Sequence, residues 1–341
     1  MSRTTKIQWC DSTVNPVMGC AGCELYPDEG GGPCYAGCDH ERKGQASPGF
    51  APTFLLPTLF PGRMAKASGY ALPSAGERAK KPWLDGMPRL IFVSDMGDAL
   101  SDAPFTKKDA PGHHVLASDV IVIKRKKGKD GGLYPSVREP KPGTIRSGGV
   151  PFEYLKQEVI DIAMSEKGRR HQWLWLTKRP QRMADFSSWL RSTSNTSWPA
   201  NVWAGTSVTS ANTLWRANEI LRVGDERTLR FISAEPLWGP VSLAPIFASK
   251  PGGRFWVIAG GESSQSTDRR HHPVDLRWLQ ALRTECAAAG VPFFVKQLGH
   301  KPHFDGQLHT LTVDKNHGGS WEEWPVDLRL REMPLPLSTG W

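Results

Sequence analysis

"QWLWLTKR", Gln172–Arg179, is a short apolar run with a polar, basic exit. Trp173, Leu174, Trp175 and Leu176 would leave a strand no solvent face, so the run suits a strand covered on both sides. Five further stretches share the shape: "LIFVSDM" (Leu90–Met96), "NVWAGTSV" (Asn201–Val208), "LRFISAEP" (Leu229–Pro236), "FWVIAGGES" (Phe255–Ser263) and "PFFVKQLG" (Pro292–Gly299). Each places a few β-branched, aromatic or leucine residues before a polar or glycine-rich end.

Helical patterns lie between several of these runs. After Pro151, which suits a first turn, Phe152, Leu155, Val159 and Ala163 recur at helical spacing. Leu276, Leu279, Leu282 and Cys286 form a second stripe that stops at Gly290, a C-terminal cap. Strands alternating with helices imply a parallel sheet. The expected fold class is therefore α/β, a partial or full parallel β/α barrel, with an open doubly wound sheet as the rival.

Around this frame the 341 residues divide unevenly. The barrel is expected over residues 1–300, with a cysteine-rich loop at about 10–40 and a Gly-, Pro- and Lys-rich insertion at about 107–150. That insertion carries "KRKKGKDGG" (Lys124–Gly132), either a nucleic-acid contact or a solvated surface. Residues 301–341, rich in proline and tryptophan, read as an extension packed on the barrel. A net charge of +9 favours anionic partners, nucleic acid above all, although a mildly basic protein without such a partner has the same totals. "MSRTTKIQW" lacks the apolar run of a signal peptide and no stretch is long and apolar enough to span a bilayer, so a cytoplasmic location without a membrane partner is expected.

Four of the six cysteines fall in the spacing Cys20-x2-Cys23-x10-Cys34-x3-Cys38. A disulfide knot is disfavoured in the cytoplasm. Two close pairs of thiols read instead as metal ligands. Four thiolates would close a structural zinc site, whereas three on a four-iron cluster would leave one iron open; the count alone fits both. Cys286 belongs to an apolar helix face and reads as core.

The sequence also resembles an uncharacterised family of phage and bacterial proteins. The likeness rests on "TKIQW" (Thr5–Trp9), "NPVMGC" (Asn15–Cys20) and "CYAG" (Cys34–Gly37). It continues through "LTKRPQRM" (Leu176–Met183), "FISAEPLWGPV" (Phe231–Val241), "VIAGGES" (Val257–Ser263) and "AAGVPFFVKQLG" (Ala288–Gly299). That family is similar, more distantly, to radical S-adenosylmethionine enzymes, including the spore photoproduct lyase type that acts on DNA. The resemblance implies a 4Fe–4S cluster, S-adenosylmethionine as cosubstrate, an electron donor, and a nucleic acid or nucleotide as substrate. It matches Cys20 and Cys34 directly, makes Cys23 the third ligand in place of the family's usual middle cysteine, where Gly31 stands, and leaves Cys38 as a spare. "GGE" (Gly260, Gly261, Glu262) resembles the superfamily segment that binds the methionyl amino group.

In a barrel the polar residues ending the strands converge on one mouth. Lys178, Glu235, Glu262 and Lys296 are the candidates there for cofactor contacts, the lysines for carboxylate or phosphate and the glutamates for an amine or ribose hydroxyls. Ser94, Asp95, Asp98, Thr177, Arg179, Thr206, Ser207, Ser263 and Gln297 complete the ring, which a structural salt-bridge rim would explain equally. "DRRHH" (Asp268–His272) follows and offers anion contacts or proton transfer. Trp173 and Trp175 alternate within a strand and belong to the core rather than to a base-stacking surface.

Overall fold

The computed structural model describes residues 3–26, 34–43, 54, 57–101, 149–263 and 272–336, together with the backbones of four strands between 104 and 138. Seven strands form one parallel sheet: β1 (Ser12–Val14), β2 (Arg89–Val93), β3 (His171–Thr177), β4 (Val202–Ser207), β5 (Arg230–Ala234), β6 (Phe255–Gly260) and β7 (Phe293–Gln297). Their spatial order is their chain order. A doubly wound sheet reverses its strand order at a switch point. None occurs here, so the sheet curls in one direction into a half-barrel with β1 and β7 as its two edges.

The two faces of the curl are filled differently. Leu90, Phe92, Leu174, Trp203, Phe231, Trp256, Ile258 and Phe294 pack together on the inner face, and Trp9 joins them from ahead of β1. The Trp9 ring lies 4.6 Å from Phe92 and 6.4 Å from Trp256. Gly205 leaves room for this packing, since a Cβ there would sit 2.1 Å from the Phe231 ring. The alternate residues, among them Ile91, Trp173, Trp175 and Val202, face Leu155, Val159, Met183, Phe186 and Leu190 of the outer helices.

Those helices are α2 (residues 152–164, with a π-helical turn at Lys156–Ile160) and α3 (Pro180–Ser194). Further along are α4 (Trp215–Ile220) and α5 (Leu276–Ala288). The stripe Leu276, Leu279, Leu282 and Cys286 is fully buried, and Gly290 beyond it takes the left-handed conformation, φ 64°. Cys286 is thus a core residue, as its helical spacing predicts.

The final segment covers the β7 edge. Val295 N donates to Leu330 O at 2.9 Å and Glu332 N to Phe293 O at 3.0 Å, while the Arg331 guanidinium lies 4.1 Å from the Trp83 ring centroid. In the insertion, Ile121–Lys127 pairs antiparallel with Leu133–Arg138. The side chains of Lys124, Arg125, Lys126 and Lys127, and residues 128–132, lie outside the described residues, and so does the basic-loop reading. Among the described residues no helix is long and apolar enough to cross a membrane.

Candidate functional site

The chain leaves β1 over the exit of β2, and its local sequence explains how it is held there. Asn15 is buried; its Nδ2 donates to Asp95 Oδ1 at 2.6 Å and its Oδ1 accepts from Met96 N at 2.9 Å. Gly19 N donates to Met96 O and Asp98 N to Gly19 O, both at 3.1 Å. A Cβ on Gly97 would approach Gly19 O to 2.4 Å, so the two backbones meet only because Gly97 lacks one. Cys20 is therefore set directly above the end of β2.

Cys20, Cys23 and Cys34 lie within electrostatic reach of one another. Burial pushes the Cys20 thiol up to about 11, with Arg179 pulling it down and Asp98, Cys23 and Cys34 pushing it further up. Burial also raises Cys34, against the N–H groups of Gly37 and Ala36 in the first turn of α1 (Tyr35–Lys43) and against Lys178. Desolvation works against the Lys178 ammonium, yet Cys23, Cys34 and Glu24 outweigh it and hold its pKa above the ordinary value. Arg179 reaches over the same loop, Nη1 lying 3.7 Å from Cys20 Sγ and Nη2 donating to Gly22 O at 3.1 Å. A pair of cations from the β3 exit thus faces three thiols.

Cys38 stands apart from this trio. It is buried one turn along α1, its amide donating to Cys34 O at 3.0 Å. Among the described residues, no three His, Cys, Asp or Glu side chains are gathered as for a single metal ion.

Asp98 anchors the cations from behind. Its carboxylate accepts from Thr177 Oγ1 at 2.9 Å, Leu100 N at 2.9 Å and Lys178 N at 3.0 Å, with Arg179 Nη1 at 3.5 Å. On the far side, Arg216 of α4 clamps Glu24 of the cysteine loop through two bonds of 2.7 and 2.8 Å.

The other predicted residues fall into two groups along the same rim. Lys296 and Glu235 are paired with each other by a direct Nζ–Oε1 contact. Glu262 is buried, 4% exposed, and its Oε2 accepts from Trp238 Nε1 at 2.7 Å and lies 3.0 Å from His272 Nδ1. Gly260 and Gly261 face neighbouring chain: a Cβ would come within 2.9 Å of Gln297 O and 2.2 Å of Leu298 O respectively. Thr206 is used internally, bonding Thr177 O at 2.9 Å, and Ser207 Oγ lies 3.4 Å from Lys178 Nζ. Asp268 to His271 lie outside the described residues.

Sequence reasoning gave no role to Asn15, Glu24, Tyr35, Arg216 or Trp238. Asn15 and Tyr35 lie inside quoted motifs, and the Tyr35 hydroxyl donates to Asp95 O, so "CYAG" carries both a thiol and a strut to the β2 exit. Ser94 is a further signal of constraint, with φ 73° and a buried hydroxyl that lacks a hydrogen-bond partner among the described residues.

A family model described as "Protein of unknown function (DUF5131)" matches residues 147–325, more than half of the chain. The matched range takes in β3 to β7 and stops short of the cysteine loop. No curated protein and no solved structure matches the chain.

Proposed function

The chain belongs to the DUF5131 family, whose function is unknown, and from the chemistry of its mouth we propose that it is an iron–sulfur enzyme of the radical S-adenosylmethionine type acting on a nucleic acid or nucleotide. The observation that carries this reading is the grouping of Cys20, Cys23 and Cys34 at the strand exits opposite Lys178 and Arg179. Thiolates are soft donors suited to iron–sulfur clusters. A single zinc ion needs all its thiolates about 2.3 Å from one point. Each thiolate of a four-iron cube binds its own iron, so three thiols at one mouth fit a cluster that leaves its fourth iron open.

Cys20, Cys23 and Cys34 would hold the cluster, with Cys38 set back. Bound there and given an electron donor, a cluster with one open iron supplies reductive cleavage of S-adenosylmethionine and hence hydrogen abstraction. Lys178 and Arg179 offset the negative charge of the thiolates. The inner layer of Trp9, Phe92, Trp203, Phe231, Trp256 and Phe294 closes the floor and keeps water from entering below. The Lys296–Glu235 pair offers a cation for a carboxylate and an anion for an ammonium, the two charged ends of an amino-acid cosubstrate. The net charge of +9 supports a polyanionic substrate.

Anaerobic reconstitution with iron and sulfide tests the reading. Brown protein with inorganic sulfide is expected, its iron lost on replacing Cys20, Cys23 or Cys34 by alanine and kept on replacing Cys38. Incubation with a reductant and S-adenosylmethionine should then release 5′-deoxyadenosine. A colourless protein with no sulfide and one zinc per chain would overturn it.

A further inference from the structure

The exits of β5 and β6 build a second reactive group that the thiol reading leaves unused. Glu262 Oε2 receives two donors, the Trp238 indole at 2.7 Å and His272 Nδ1 at 3.0 Å. The imidazole lies over the indole, with ring centroids 4.3 Å apart and planes inclined by 31°. A carboxylate oxygen only accepts, so Nδ1 is the nitrogen that carries the hydrogen toward Glu262, and in the neutral imidazole the lone pair is then on Nε2. The Glu262 side chain is 3% exposed and that of His272 50% exposed. The Glu262 backbone is anchored separately, His300 N donating to its carbonyl oxygen at 2.7 Å.

We propose that His272 is a proton-transfer residue of the mouth, with Glu262 and Trp238 as its positioning residues. One nitrogen is locked by a buried carboxylate and an aromatic face, and the other, Nε2, makes no hydrogen bond to any described residue. The ligand is a substrate bearing an ionisable O–H or N–H group. Nε2 takes that proton, the substrate oxygen or nitrogen keeps the bonding electron pair, and Glu262 balances the imidazolium charge. The proton then returns from Nε2 to product or water. Glu262 accordingly serves His272 rather than a cofactor amine.

The test uses metal-free full-length protein, so its outcome is independent of the iron–sulfur reading. Imidazole nitrogen NMR is expected to show His272 as the Nδ1–H tautomer. Diethyl pyrocarbonate, with sites located by mass spectrometry, should acylate His272 roughly tenfold faster than His303, whose Nδ1 is hydrogen-bonded to the Lys301 carbonyl rather than to a carboxylate. Glu262→Gln should remove most of that advantage, and Trp238→Phe, which keeps an aromatic face but deletes the indole N–H, part of it. Circular dichroism checks that both variants fold. An Nε2–H tautomer overturns the proposal, as does a His272 acylation rate that Glu262→Gln leaves unchanged. If that variant instead weakens S-adenosylmethionine binding in equilibrium dialysis without altering acylation, Glu262 belongs to the cofactor and this inference alone falls.

Discussion

Replacing Asp98 by alanine removes the anion on which the β2 and β3 exits converge. The residue is 4% exposed and takes hydrogen bonds from the Thr177 hydroxyl, Leu100 N and Lys178 N, with Arg179 at 3.5 Å. Each bond to a charged acceptor is worth about 1.5–3 kcal/mol, but the values do not add. Deleting one partner of a buried charge pair costs about 3–5 kcal/mol. The Arg179 side chain stays 15% exposed, so water reaches part of the void and limits the loss. The Asp98→Ala variant should therefore lose about 3–5 kcal/mol of unfolding free energy. Asp98→Asn should lose about 2 kcal/mol, because its amide must turn a donor toward one of two main-chain N–H groups. Urea unfolding followed by tryptophan fluorescence and circular dichroism measures both. A loss below about 1 kcal/mol for alanine, with an unchanged urea slope, would refute the view that this carboxylate holds the two exits together.

Three further outcomes follow from the same geometry. Gly97→Ala would drive a Cβ to 2.4 Å from Gly19 O, so it should cost about 2 kcal/mol or more and speed alkylation of Cys20; wild-type melting and alkylation would refute the close approach. Burial alone would raise the Glu24 carboxyl, but the bonds and charge of Arg216 outweigh it and hold it below the ordinary 4.5. The pair's stabilisation is thus whole above that value and lost as pH falls through the lowered one, so Arg216→Leu should flatten the decline of stability below about pH 4.5, and an unchanged decline counts against the clamp. In metal-free protein the partly buried Cys20, its thiol pushed up to about 11, should react slowly with iodoacetamide at neutral pH and faster as pH rises; rapid neutral modification would refute the raised thiol.

All six apolar runs of the sequence are strands of the sheet, because burial on both faces forces a continuous apolar signal. β1 escaped that signal: Ser12-Thr13-Val14 is short and polar, and its place is fixed from outside. Leu90 N donates to Asp11 Oδ2 at 2.8 Å and Arg78 pairs with Asp11 at 2.6 Å, contacts between residues far apart in the chain. The choice of half-barrel over doubly wound sheet was likewise absent from periodicity, since both repeat the same βα unit and differ only in strand order. Of the site, spacing gave the thiols, and strand exits gave Lys178 and Arg179. What the sequence concealed was pairing. Nothing local to Glu262 announces Trp238, nor does anything local to Glu24 announce Arg216, 192 residues away.

The wide interval between Cys23 and Cys34 has a structural resolution. Cys20 N donates to Phe54 O at 2.8 Å, Cys23 and Tyr26 exchange bonds of 3.0 and 2.9 Å, and Cys34 N donates to Leu25 O at 3.0 Å. The stem of the interval is closed at Leu25 and Cys34, so each thiol is fixed by main-chain bonds on its own side of residues 27–33. Their relative positions are set by the exits of β2 and β3 through Gly19, Asp98 and Arg179, not by the length of chain between them. Trp9 and Cys20 stand on either side of β1, one filling the floor of the half-barrel and the other its mouth. The three-residue strand between them therefore couples the packing of the core to the placement of the thiols, and a change that shifts β1 along β2 must move both.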